Sequence, residues 1–146
     1  MEYVSSVSLP SYDEEAGYIL SFPSALEMSC YTRSAYPFKV FPQKGIRTLD
    51  FAPITIFYGG NGSGKSTLLN VIGEKLSLRR QSPFNRSPAF ADYVERVRVR
   101  YAPRVREIPR ESRIITSDDV FEYLLDVREL NEEADRRREQ LFSEYF

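Results

Sequence analysis

The run Gly59-Gly60-Asn61-Gly62-Ser63-Gly64-Lys65-Ser66-Thr67 carries the spacing G-x-x-x-x-G-K-[ST], in which glycines lead into a lysine and a hydroxyl. Its chemistry is the binding of a phosphate chain. A triphosphate needs many convergent donors at small steric cost. Gly59, Gly62 and Gly64 allow backbone angles and close approach denied to side chains, so successive N–H groups can curl around a β-phosphate. A helix opening near Gly64 adds its partial positive end. Lys65 is placed to reach the β- and γ-phosphate oxygens and is the candidate catalytic residue. Ser66 is the candidate Mg²⁺ ligand, and Thr67 a further phosphate contact. With Gly60, Asn61 and Ser63 completing the loop, the expected cofactors are ATP and Mg²⁺. A turn that merely joined a strand to a helix would not require Lys65-Ser66 at the helix start.

Such a loop needs a strand before it and a helix after it. Ile54-Thr55-Ile56-Phe57-Tyr58 is β-branched and aromatic, and a nearly continuous apolar run is what burial on both faces of a parallel sheet demands, so it is read as a central strand. After the loop, Leu68, Leu69, Val71, Ile72 and Leu76 gather on one helical face, with Asn70, Glu74 and Lys75 turned outward. Residues 36–41 and 46–51 read as two strands of a hairpin around the turn 42–45. Residues 1–35 show no sustained periodicity and are expected to form an extended, irregular arm or short irregular strands lying on the domain. The Ser-Pro pairs at 82–83 and 87–88 mark residues 81–91 as a loop. From Tyr93 to Tyr101 a half-buried strand is expected, with Val97, Val99 and Tyr101 alternating against Arg96, Arg98 and Arg100. A final helix is predicted from Thr116, which with Asp119 forms a capping-box pair. Val120, Leu124, Val127, Ala134, Leu141 and Tyr145 form its approximate stripe.

The wording from Leu49 to Leu69, through Asn61-Gly62-Ser63-Gly64-Lys65-Ser66-Thr67, resembles the start of ABC-type ATPase domains, and in particular bacterial AAA-family, RecF- and SMC-type enzymes. The likeness is specific over residues 36–78. It implies an α/β P-loop NTPase fold with a parallel sheet core and a small antiparallel β portion. It also implies ATP hydrolysis and a head-to-tail homodimer sandwiching two nucleotides. Tyr36, Phe38 and Phe41 become candidates for stacking on adenine, with core packing as the competing reading. The family also carries a Leu-Ser-Gly-Gly signature and an apolar strand ending in Asp-Glu. This sequence has no such signature, and Ile114-Ile115-Thr116-Ser117-Asp118-Asp119 fits a helix start better than a buried acidic strand. The expectation is therefore that residues 1–146 are the amino-terminal part of a single ATPase domain. By itself this part would bind nucleotide weakly or not at all and hydrolyse it negligibly.

Two other classes compete. A small phosphotransferase would use the same loop, with Arg96, Arg98, Arg100 and Arg104 closing over the transferred group. A non-catalytic module would use Mg-ATP only to order its fold. A GTPase is disfavoured because no Asn-Lys-x-Asp motif is present. The net charge of −1 conceals an asymmetry: residues 79–113 hold ten Arg against four acids, whereas residues 114–146 hold ten acids against four Arg. The first block invites nucleic acid as a partner, although pairing with acidic groups is the preferred reading. The single Cys30 and the lack of a signal-like start suit a reducing cytoplasm. No apolar stretch approaches the roughly 20 residues of a membrane span, so direct membrane insertion is not expected.

Overall fold

A computed structural model describes residues 2–21, 35–84 and 86–145. These fall into two compact units, one of Met1–Arg79 with Phe84–Arg113, the other of Arg80–Pro83 with Ile114–Phe146.

In the first unit, strand β1 (Val4–Ser8) leads through the Ser11 cap into helix α1 (Tyr12–Leu20). Ser11 and Glu14 form a reciprocal capping box, the Glu14 amide donating to Ser11 Oγ at 3.2 Å and the Ser11 amide to Glu14 Oε2 at 2.8 Å. A 3-10 turn at Pro42–Lys44 precedes strand β2 (Thr48–Asp50). Helix α2 (Lys65–Lys75) follows the glycine-rich loop, and helix α3 (Phe90–Arg96) leads into strand β3 (Arg98–Tyr101). The sheet order is β2-β1-β3, and both pairings are antiparallel. Val7 stands opposite both Leu49 and Val99, so the apolar side chains of all three strands share the inner face.

The core is built largely of aromatic rings. Tyr18 stacks on Phe38 with centroids 4.2 Å apart, and Tyr93 meets Phe38 edge-on at 4.9 Å. Phe41, Phe90 and Tyr93 are almost fully buried together with Val7, Val71 and Val97. Helix α2 contributes Leu68, Val71 and Ile72, which bury one face, while Leu69 stays 45% exposed. The Lys75 ammonium donates to the Val94 and Glu95 carbonyls at 3.1 and 3.3 Å, neutralising the end of α3, where carbonyls lack intrahelical partners.

Several expectations are corrected. The parallel sheet core, and with it the P-loop NTPase fold, is overturned: the sheet is small, three-stranded and antiparallel. Among the described residues the only parallel pairing is a single bridge between Arg79 and Arg113. The expected central strand 54–58 pairs with nothing among the described residues, and Ile54, Ile56 and Tyr58 are 83%, 84% and 100% exposed. A buried strand needs neighbours on its edges and layers on its faces. Here Thr55 instead bonds back to both backbone groups of Ala52, closing a local turn. The expected strand 36–41 is a series of turns, so the predicted hairpin is absent and β2 pairs with β1 instead. The segment expected as an extended arm or short irregular strands holds a short strand, but that strand is central to the sheet and is followed by a capped helix; its residues 22–34, including Cys30, lie outside the described residues. The strand expected from Tyr93 starts only at Arg98, because Phe90, Tyr93 and Val94 fall at helical spacing and bury one side of α3.

In the second unit, helix α4 (Ser117–Tyr145) has no buried residue. Its start agrees with the capping reading. Asp119 Oδ2 accepts from the Thr116 amide at 2.6 Å and from its hydroxyl at 2.9 Å, while Oδ1 accepts from the amide and hydroxyl of Ser82. Those hydrogen bonds, the Ser82 hydroxyl foremost, hold the Asp119 carboxyl down at about 2.

Candidate functional site

The glycine-rich loop is held between the aromatic core and the first turn of α2. Gly64, the residue before α2, has φ +94°, a left-handed angle that costs other residues free energy. An added Cβ there would also lie 3.4 Å from Val40 and 3.5 Å from Phe41, so the loop rests directly on core side chains. No side chain caps the helix, and the first-turn amides, which lack intrahelical acceptors, are available to an anion.

Lys65 folds back over the loop. Its ammonium donates to the Gly59 carbonyl at 2.6 Å, the Gly60 carbonyl at 2.8 Å and Ser63 Oγ at 3.0 Å. The close packing extends to Gly59, where a Cβ would sit 2.8 Å from Ser63 Oγ and displace a lysine partner. Asn61 and Gly62 are exposed at the tip, and Ser66 is exposed in the first turn of α2. The Thr67 hydroxyl accepts from the Tyr36 hydroxyl at 2.9 Å, so this candidate phosphate contact already has a partner. Of the nine residues, Gly59, Gly60 and Ser63 thus meet the lysine directly.

The fit to a magnesium triphosphate rests on the chemistry of this donor set. It offers an ammonium group, free helix-start amides, and hydroxyls at Ser63 and Ser66. Among the described residues no group of three or more Asp, Glu, His or Cys side chains could hold a metal by itself. Were Mg²⁺ to enter with phosphate oxygens, the Ser66 hydroxyl, exposed in the first turn of α2, is the loop group that could join its ligands. Asp118 and Asp119 lie in the first turn of α4, where Asp119 serves the cap.

One participant escaped the sequence reading. The Lys44 ammonium donates to the Gly62 carbonyl at 3.1 Å, placing a second cation beside the loop. Nothing in its spacing signals this, because it comes from the 3-10 turn 18 residues earlier in the chain. The proposed adenine stackers do not present free faces: Phe38 and Phe41 are 4% and 1% exposed, and Tyr36 packs against Phe90 while bonding Thr67.

The arginines expected to close over a transferred phosphate lie elsewhere. Arg96, Arg98 and Arg100 join Arg47 and Glu14 around a cleft of about 640 Å³ on the outer face of the sheet, and no loop residue from 59 to 67 lines it. Arg98 pairs with Glu14 at 3.2 Å, while Arg96 lies 4.6 Å over the Tyr18 ring and bonds the Asp92 carbonyl. Burial and the bond to Asp92 push the Tyr18 hydroxyl up to about 12.

Compared with protein-family models, curated proteins and solved structures, the chain matches none. No helix among the described residues is long and apolar enough to cross a membrane.

Proposed function

We propose that this chain binds Mg-ATP through Gly59–Thr67, and that on its own it does so weakly and without turnover. The observation that carries the reading is the meeting of the Lys65 ammonium with two loop carbonyls and Ser63 Oγ beside an uncapped helix start. Donors and charge converge there on a surface open to solvent. Its sequence likeness to the start of ABC-type ATPase domains supports ATP as the triphosphate. Weak affinity follows from the ligand having to replace three existing lysine bonds, and from the engagement of the expected adenine stackers Tyr36, Phe38 and Phe41 in packing. Negligible turnover is expected because residues 1–146 carry no apolar strand ending in Asp-Glu, whose acids would activate the attacking water. Titration of Mg-ATP monitored by ³¹P NMR tests the reading. Line broadening that saturates with protein supports it, whereas unchanged phosphate resonances at millimolar protein defeat it.

A second reading draws on the arginine cleft. Arg47, Arg96, Arg98 and Arg100 face a polar groove that suits a polyanion such as nucleic acid. Salt-sensitive retention of DNA, weakened by replacing Arg96, Arg98 and Arg100 together, would support it. Salt-insensitive or absent retention would count against it.

A further inference from the structure

Helix α4 leaves its apolar side chains in solvent. Val120, Leu124 and Leu141 are about half exposed and Tyr145 is 81% exposed. These residues belong to a regular series. Positions 120, 124, 127, 131, 134, 138, 141 and 145 alternate gaps of four and three, the heptad spacing of a coiled-coil seam. Read as d and a positions in turn, the series is Val120, Leu124, Val127, Asn131, Ala134, Arg138, Leu141 and Tyr145. It spans nearly four heptads, the length at which such a pattern becomes meaningful.

We infer that α4 pairs with α4 of a second copy of this chain as an antiparallel coiled coil. The choice of occupant and direction comes from matching the helix against itself. Antiparallel pairing sets each a position against a d position. Leu124 then meets Leu141 of the second copy, Val120 meets Tyr145, Asn131 meets Ala134, and Val127 meets the aliphatic stem of Arg138, whose head reaches water. In the same register Phe121 meets Phe142 and Arg128 meets Asp135 on both sides of the two-fold axis, while on the other flank Tyr123 meets Glu144 and Leu130 the aliphatic stem of Arg137. A parallel pair fares worse. It would place Arg138 against Arg138 and leave Arg128 beside Tyr123, with no opposite charges joined across the flanks. The gain there would be confined to Asn131 meeting Asn131.

In one chain Arg128 bridges Glu132 at 3.1 Å and Arg138 bridges Asp135 at 3.3 Å, all of these side chains being largely exposed. Exposed pairs of this kind contribute little, so exchanging them for intermolecular partners is inexpensive.

The test uses the 146-residue chain with Cys30→Ser as background. Leu124→Cys and Leu141→Cys proteins are oxidised separately and mixed. A disulfide-linked dimer that forms in the mixture and not with either protein alone is the expected result. Self-linking of each protein alone would establish the parallel arrangement and overturn the proposal, as would the absence of any link. Sedimentation equilibrium supplies an independent reading, with an expected mass near twice 16.9 kDa. Asp135→Arg should weaken association at least about tenfold, and the swap Arg128→Asp with Asp135→Arg should restore it. A single-chain mass at all concentrations, or failure of the swap to rescue, would refute the pairing.

Discussion

Replacing Lys65 by alanine should separate phosphate recognition from loop stability. The ammonium holds the Gly59 and Gly60 carbonyls and Ser63 Oγ at 2.6, 2.8 and 3.0 Å, so it stands over the loop mouth where a phosphate would enter. A hydrogen bond from a charged group contributes about 1.5–3 kcal/mol. Since the ammonium must first release its loop partners, loss of the phosphate contact should raise the dissociation constant of Mg-ATP measurably, by at most about 10- to 150-fold. The folded state should suffer far less. Gly60 is exposed and Gly59 half-exposed, so the released carbonyls pass to water and the net cost stays below about 1 kcal/mol. Binding is read by ³¹P NMR or calorimetry with Mg-ATP, and stability by urea denaturation of the same preparations. Lys44→Ala, which removes one 3.1 Å bond to the Gly62 carbonyl, should lower affinity by a smaller factor. If Lys65→Ala binds Mg-ATP as tightly as the parent chain, the ammonium does not meet phosphate and the argument fails. A variant that unfolds would show instead that Lys65 serves the loop's structure.

Gly64→Ala forces a side chain into φ +94° against Val40 and Phe41; a loss of about 1–2 kcal/mol in urea denaturation is expected, and an unchanged midpoint would show that the loop relaxes freely. Glu15 is 2% exposed; its Oε2 accepts the Lys39 amide, while its Oε1 faces the Tyr93 hydroxyl without a well-formed hydrogen bond. Burial raises its carboxyl above the ordinary 4.5, so the native state holds its proton more tightly than the unfolded chain does, and stability should decline as pH rises from that value through the folded one. Glu15→Gln, whose amide can donate to Tyr93, should flatten that decline in denaturation midpoints across pH 4–8, and an unaltered profile would discount the assignment. Asp119 is shifted the other way: its contribution should be fully present above the unfolded value near 3.8 and be lost as pH falls through about 2. Asp119→Ala should remove this acid-sensitive step from the helical circular dichroism of α4 and fray its first turn, and a superimposable acid titration would refute the cap's role.

Local signals survive folding where the cause is itself local. Helix α2 begins at Lys65 because glycines end and an amphipathic series starts there, and α4 begins after Thr116 because a hydroxyl and a carboxylate three residues apart satisfy the exposed amides. The alternation of valine with arginine from 97 to 101 likewise sets the inner and outer faces of β3. The loop composition, and with it the choice of Lys65 and Ser66 as candidates, was equally legible in the order of residues.

Pairing is not local, and it was decided by the tertiary structure. Val4–Ser8 is too short and serine-rich to announce a strand, yet with neighbours on both edges it becomes the centre of the sheet. Ile54–Tyr58 has the composition of a buried strand but finds no partner among the described residues, so it forms no strand and Ile54, Ile56 and Tyr58 stay exposed. The aromatic run from Tyr36 to Phe41 was spent on packing against Tyr18, Phe90 and Tyr93 rather than on a ladder. Lys44 reached the loop only because the chain turned back on itself. Residue order states what each segment could do, but an edge, a buried face or a cation beside a carbonyl exists only once a distant segment arrives to complete it.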